Sequence, residues 1–538
     1  MSIIQSINPA TQELNGSVES TPVTKMPDIM ANARKAQELW SSCFDLKERL
    51  RVLIGKGNAL ENLSEQIFHS AKSFRHLVFA NRKQIAELIT KETGKPIFEV
   101  LNSEIQTVLE HCNWLADNAE AILQAQPSRV NKLICPRMSA KKHREPHGVV
   151  CVIAPFNYPF AIPVCTMLNA LVAGNSVILK HSPKTPLTAK LIQELFDQSG
   201  LSTNLVQIVQ GDREETTALL QAAPNKVVFT GSPGGGKAIM RLCAENVIPL
   251  TEELGGKHPA VVWGLKSKDL RIAAKSLTWG AFTNKGEACA AVQRIYVQRE
   301  IAEELAWHMV YYTRKLKIGN GLLPEVDIGP LVDSGSVTRV QGLVDDAVQK
   351  GAKPVIGGKA ITEMGGFFFE PTILVNANQN MRIAKEEAFG PVVPIIAIDS
   401  LEDGIQLAND STYFLGSSVW ISDRKLAARV AKQLKAGMTW INNTHVTFSF
   451  PDSHWGGRGL SGFGTTHGPE ALLDMTVTHY IATDKISSRL WQFPYGQEKL
   501  DVMDGLAKTQ HGSGIFEKMS GVIQVVAGLV SILSKKQL

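Results

Sequence analysis

The chain has 538 residues, 44% hydrophobic and 20% charged, with 56 basic and 51 acidic residues for a formal net charge of +5. That balance excludes a disordered chain, a prior of ~150 residues per domain asks for two or three domains, and the lack of basic stripes interleaved with aromatics excludes a nucleic-acid partner. The seven cysteines (43, 112, 135, 151, 165, 243 and 289) are odd in number and contain no C-x-x-C pair, which excludes a disulfide framework and a zinc or other metal site and points to a reducing, cytoplasmic compartment.

The N-terminal "MSIIQSINPATQE" has neither the basic n-region nor the apolar h-region of a signal peptide. Residues 29–125 read mostly as amphipathic helix: "IMANARKAQELWSSCF" and "RKQIAELITKETGKP" place apolar residues three and four apart, the second ending at a Gly-Lys-Pro stop. From about 147 the texture changes to short apolar runs, "GVVCVIAP", "NSVILK", "LVQIVQG", "KVVFTGS" and "PAVVWG", separated by helical stretches such as "TAKLIQELFDQSG" and "GKAIMRLCAENV". Strands of that kind, buried on both faces, predict a parallel sheet in an α/β domain. A second α/β series runs from about 270 to 440 through "RIYVQ", "PTILV", "PVVPIIAI", "SSVWIS" and "GMTWINN". No repeat or low-complexity linker separates the two, so the domains are expected to pack tightly around a shared cleft. "HWGGRGLSGFG" (454–464), which alternates Gly with Trp, Leu and Phe, reads as an ordered loop.

Three stretches carry candidate chemistry. "VVFTGSPGGGK" runs from strand into Gly-rich turn into helix, the arrangement that aims backbone N–H groups at phosphate. Gly231 to Lys237 fits G-x-x-x-x-G-K, but Ala238 stands where a triphosphate-binding loop needs a magnesium-ligating Ser or Thr. A dinucleotide pyrophosphate and a plain tight turn both remain open. In "TEELGGKHP" (251–259), Glu252 and Glu253 are neighbours, so on an extended segment only one of them faces a given cleft. In "NKGEACAAVQR", Cys289 follows Asn, Lys and Gly and opens a helical-looking segment whose macrodipole can lower a thiol pKa. Cys135, Cys151 and Cys165 sit in apolar runs and read as packing residues.

In chain order, "APFNYPF" (154–160), "VILK" (177–180), "FTGSPGGG" (229–236), "ELGGK" (253–257), "GEAC" (286–289), "EEAFGP" (386–391) and "WGGRGLSGFG" (455–464) resemble the aldehyde dehydrogenase superfamily over roughly residues 1–485. The resemblance implies an α/β fold with a Rossmann-like dinucleotide-binding domain (1–127 and 147–252), a catalytic domain (253–446), a small β oligomerisation arm (128–146 and 472–486) and a Gly-rich substrate and cofactor loop region (447–471). It implies assembly into homodimers or homotetramers. It further implies Cys289 as nucleophile, Glu253 as general base, and Asn157 with the Cys289 backbone N–H as oxyanion donors. NAD or NADP would be contacted by Phe156, Lys180, Gly231, Ser232, Gly236, Leu254, Gly255, Glu387 and Phe389. The substrate channel would gather Tyr158, Ile162, Cys165, Phe450 and Trp455, without an arginine placed for a substrate carboxylate, which favours apolar, medium or long-chain or aromatic aldehydes. A semialdehyde-specific dehydrogenase and a non-catalytic scaffold on the same fold are the alternatives.

Two positions depart from the family pattern. Where NAD-preferring relatives often carry a ribose-binding glutamate this chain has Pro183, followed by Lys184, and Thr466 replaces a frequent acidic residue after the last glycines. The C-terminal extension (487–538) ends in an apolar helix, 519–533, with 15 uncharged residues followed by Lys535 and Lys536. That is shorter than the ~20 residues of a membrane span. With Ser520, Gln524, Ala527 and Ser531 on one face, it suits docking on the protein, a dimer contact, or a membrane interface on the cytoplasmic side.

Overall fold

The computed structural model describes residues 2–55, 73–132, 135, 137–485 and 492–534. Parts of three predicted segments, 56–72 in the N-terminal helical region, residues 133, 134, 136 and 486 of the arm, and Lys535 and Lys536 of the tail, lie outside the described residues. Contacts divide the chain into two compact units, Met1–Ala125 with His143–His479, and Gln126–Lys142 with Tyr480–Leu538.

The first unit holds two sheets. Strands β1 (Val149–Ile153), β2 (Ser176–Lys180), β3 (Val206–Val209), β4 (Lys226–Thr230) and β5 (Leu250–Glu253) run parallel, and the short β13 (Gly462–Phe463) closes the edge antiparallel to β5, in the order β3-β2-β1-β4-β5-β13. This is a Rossmann-like doubly wound order, whose chain reversal between β1 and β4 opens a crevice at the carboxyl ends of the strands. Every residue of β1 and β2 is buried. Helices on the faces explain why: Met26–Cys43, for example, buries Met26, Met30, Ala33, Ala36 and Trp40 along one stripe.

The second sheet contains β6 (His258–Val262), β7 (Val292–Gln298), β8 (Lys353–Ile356), β9 (Thr372–Val375), β10 (Val392–Ile398), β11 (Gly416–Trp420) and β12 (Met438–Ile441), ordered β8-β9-β10-β7-β6-β11-β12. All pairs are parallel except β8 with β9. One expectation is corrected here. The segment after Cys289 is no helix: a turn at 289–290 leads straight into β7. Val292, Ile295 and Val297 are fully buried there, in a strand flanked by β6 and β10, and tertiary pairing of branched residues decides such a short run.

In the second unit, the strand Gln126–Ser128 pairs antiparallel with residues 140–142. Its C-terminal part is a hairpin of two helices, Gln497–His511 and Ile515–Ser534. Gly505, Gly521 and Gly528 let them approach closely, since a Cβ at Gly505 would stand 2.7 Å from the Gly521 carbonyl oxygen. The second helix therefore starts four residues before the uncharged run and takes in Glu517 and Lys518. Cys135 in this unit is half-buried, whereas Cys151 and Cys165 in the first are buried as expected.

Candidate active site

The carboxyl ends of the first sheet meet the amino end of β7 around one cavity. Thr230 and Glu253 come from the ends of β4 and β5, and Ala288, Cys289 and Ala290 from the turn before β7. Tyr158, Ile162, Cys165 and Thr166 line it from the loop and helix (Ala161–Val172) after β1, and His445, Phe448, Trp455, Thr466 and His467 from the chain beyond β12.

Cys289 is delivered by a strained, heavily bonded turn. Asn284 and Lys285 both have left-handed backbone (φ 47° and 57°), a conformation costly outside glycine and held only when the surroundings over-determine it. They do: Glu99 accepts from Thr283 Oγ1 and Asn284 N, both at 2.8 Å, and Lys285 Nζ donates to Asn284 Oδ1 at 2.9 Å and Thr93 O at 3.1 Å. Asn157 belongs to the same network. Its Nδ2 donates to Glu287 O at 3.0 Å, and Asn284 Nδ2 donates to the Asn157 and Glu287 carbonyls. Tyr158 is fixed beside it by Lys95, whose ammonium lies 3.7 Å above the ring and pairs with the buried Glu104.

Cys289 is partly buried. Burial, then the Glu387 and Glu253 carboxylates, push its thiol up to about 12. The expected depression by a helix N-terminus is thus reversed, because the thiol is desolvated, precedes a strand and has carboxylates for neighbours. Glu253 is buried, neither oxygen has a hydrogen-bond partner, and burial holds its carboxyl well above the usual carboxylate range. Glu252, one residue away on β5, points to the other side, toward Gly236 and Cys243.

Of the residues expected at the dinucleotide, those from Phe156 to Gly255 follow the carboxyl ends of the first sheet, and Glu387 and Phe389 come from the segment before β10. Ser232 caps the helix Pro233–Glu245, its Oγ accepting from Gly235 N at 3.2 Å. A Cβ at Gly231 would stand 2.5 Å from the Phe229 ring, and one at Gly236 2.8 Å from Leu254, so backbone alone fits this turn. At Gly255 a Cβ would meet Glu387 Oε2, and at Gly256 the carbonyl oxygen of Cys289. Glu387 Oε1 accepts from Gly256 N at 2.9 Å, and burial raises its pKa to about 7. Phe389 (φ 47°) meets Phe156 edge-on at 6.0 Å. Lys180 ends β2 almost fully buried, its pKa lowered to about 8 by desolvation. Lys184 is ion-paired with Asp333 at 2.6 Å and lies 4.6 Å over Phe156. A glycine-lined strand-to-helix turn after β4 and a buried cation ending β2, both at the carboxyl ends of one sheet, fit a dinucleotide.

Of the residues expected in the channel, Tyr158, Ile162, Cys165 and Trp455 line the cavity and Phe450 does not. Phe450 is 53% exposed, just beyond the 3₁₀ turn His445–Ser449, and Phe448 within that turn takes the lining position, packed on Tyr158 and Trp455. His445 and His467, which also line the cavity, carry no signal in the sequence, since a single histidine in a loop has no periodic signature.

Residues 2–481 match the family described as "Aldehyde dehydrogenase family". A protein of Mycobacterium bovis named "Putative succinate-semialdehyde dehydrogenase [NADP(+)] 2" is 34% identical over 416 residues, 77% of this chain and 79% of its own length. The 4,4'-diapolycopene aldehyde oxidase of Methylomonas sp is 33% identical over 476 residues, 88% of this chain and 85% of its own. Among solved structures, a Mycobacterium tuberculosis aldehyde dehydrogenase complexed with NAD+ superimposes with a TM-score of 0.79 at 30% identity, covering 89% of this chain and 94% of that one.

Proposed function

The chain belongs to the aldehyde dehydrogenase family and is an NAD(P)-dependent aldehyde dehydrogenase; on that premise we propose that it oxidises an apolar aldehyde to the free acid through a thioester on Cys289. The observation that carries this reading is the pairing of Cys289 with an unpartnered Glu253 carboxylate in one cavity. The thiolate fraction of Cys289, kept small by the raised thiol pKa, attacks the carbonyl carbon, and the oxyanion of the resulting thiohemiacetal is met by the Cys289 N–H and the second N–H of Asn157, each such donor being worth ~3 kcal/mol. NAD or NADP, when bound, accepts the hydride that leaves this carbon. Glu253 then takes a proton from the water that attacks the thioester, releasing the acid and the thiol.

No Lys or Arg is among the described residues lining the cavity. A substrate carboxylate would therefore lack a counter-charge, which favours apolar or aromatic aldehydes over a semialdehyde. Initial rates over alkanals, aromatic aldehydes and succinic semialdehyde, with NAD and NADP in parallel, test this reading; the best substrate is apolar and Cys289→Ala abolishes turnover, whereas succinic semialdehyde as best substrate refutes the apolar assignment.

The helix Ile515–Ser534 lies in a membrane interface in this reading. Ile515, Phe516, Met519, Val522, Ile523, Val526, Leu529 and Val530 fall on one exposed stripe, while Ser520, Gln524 and Ser531 occupy another face. The window Ile515–Ile532 is long and apolar enough to span a bilayer, with mean hydropathy 1.5, but the polar face and the glycine-packed partner helix favour lying flat. The strand Thr476–Thr483, exposed along nearly its whole length, pairs with a second copy.

A further inference from the structure

Five histidines are buried among the described residues: His111, His181, His258, His445 and His467. Three are satisfied within the chain. His111 Nε2 pairs with Asn169 Oδ1 at 2.8 Å, His181 Nε2 donates to Pro159 O at 2.7 Å, and His258 bonds Ala290 O and Ser418 Oγ, each at 2.9 Å. None of these three lines the cavity. The two that do are the unsatisfied ones: neither nitrogen of His445 has a hydrogen-bond partner in the chain, nor has Nδ1 of His467. The Ala290 carbonyl reaches the His445 ring only weakly, outside hydrogen-bond geometry, and already accepts from His258 at 2.9 Å. Each ring is held in place by its faces, His445 stacked 5.1 Å from Trp279 and His467 set 5.5 Å from Phe448 and 5.7 Å from Trp455. Rings fixed by stacking, with unpartnered nitrogens on residues lining a largely apolar cavity, are recognition groups, because a buried polar atom left without a partner is costly.

Resting on the aldehyde-oxidising reading above, we propose that His445 and His467 make this site selective for aldehydes that carry an uncharged hydrogen-bonding group, such as a hydroxyl or keto oxygen, on an apolar body. Burial lowers the imidazole pKa values to about 4 and about 3, so both rings are neutral at physiological pH. A neutral imidazole offers one donor and one acceptor, which suits a hydroxyl and gives a carboxylate no counter-charge.

The test compares kcat/KM of the full-length enzyme for parent and hydroxylated aldehydes: phenylacetaldehyde against its ring-hydroxylated forms, and C5 to C8 alkanals against their ω-hydroxy forms. At least one hydroxylated member should exceed its parent by about tenfold or more, as expected of a pocket built to hydrogen-bond a substrate group. That ratio should fall toward one in His467→Phe or His445→Phe and persist in the matching Gln variant. Parents that equal or beat every hydroxylated partner in the wild type overturn the proposal even if a variant fails to fold, as does a ratio unchanged in both Phe variants. Failure to oxidise any aldehyde would instead refute the reaction itself.

Discussion

Gly256→Ala probes the least forgiving contact in the site. A Cβ there would stand 2.1 Å from the Cys289 carbonyl oxygen, where a close carbon–oxygen contact needs about 3.3 Å. Neither atom can rotate away, because one is fixed to the backbone of the segment after β5 and the other is backbone of the turn before β7. The turn must therefore move by about 1 Å, and a displacement of that size at a reacting group costs about 100-fold in rate. We expect kcat/KM for the best aldehyde to fall by about that factor, with alkylation of Cys289 by iodoacetamide altered in parallel, on protein shown to be folded by circular dichroism. Gly404→Ala is the control. Its Cβ would crowd only the end of a rotatable side chain, Cδ1 of Ile398 at 2.6 Å, with Val261 Cγ1 at an ordinary 3.4 Å, and activity should stay at the wild-type level. Full kcat/KM in folded Gly256→Ala would refute the placement of Cys289 against this glycine.

Glu387 is raised to about 7 by burial, so the folded state keeps its proton after the unfolded state has released it near 4.5. Its contribution to stability is complete below that lower value and is lost as pH rises to 7, about 3 kcal/mol at ~1.4 kcal/mol per pH unit. Glu387→Gln, which keeps the acceptor for Gly256 N, should match the wild type in denaturant unfolding at pH 4.5 and exceed it by up to that amount at pH 8; equal stability at both contradicts the assignment. The raised Glu253 carboxyl predicts that the deacylation rate climbs with pH through a limb above the ordinary carboxylate range, and a plateau reached by pH 5 would contradict it. A chain ending at Gly514 should lose flotation with anionic vesicles that the full chain shows, and equal partitioning of the two would remove the interfacial role of the last helix.

Much of the fold is legible in the chain because the buried strands announce themselves: "VVCVI" and "SVILK" can only be two-faced core. The catalytic candidates are legible through ordered motifs, which also pick Glu253 over Glu252, whereas the alternation of an extended segment says only that the two face opposite sides. Other features depend on distant partners. "ACAAVQR" has no decisive period, so the flanking strands β6 and β10 turn it into strand entry, and the thiol then meets two carboxylates instead of a helix dipole. Phe448 replaced Phe450 because a 3₁₀ turn changes which residue faces inward. That His445 and His467 differ from three other buried histidines is a matter of missing partners, which only the packed structure displays.

The central claim, an acyl thioester on Cys289 hydrolysed with Glu253 as base, is tested most directly by intact and peptide mass spectrometry of Glu253→Gln after mixing with a good aldehyde and NAD or NADP. The account predicts one acyl group per chain on the peptide carrying Cys289, with reduced dinucleotide formed in equal amount and slow turnover afterwards. Undiminished steady-state turnover without an adduct, or an acyl group on another residue, would contradict it.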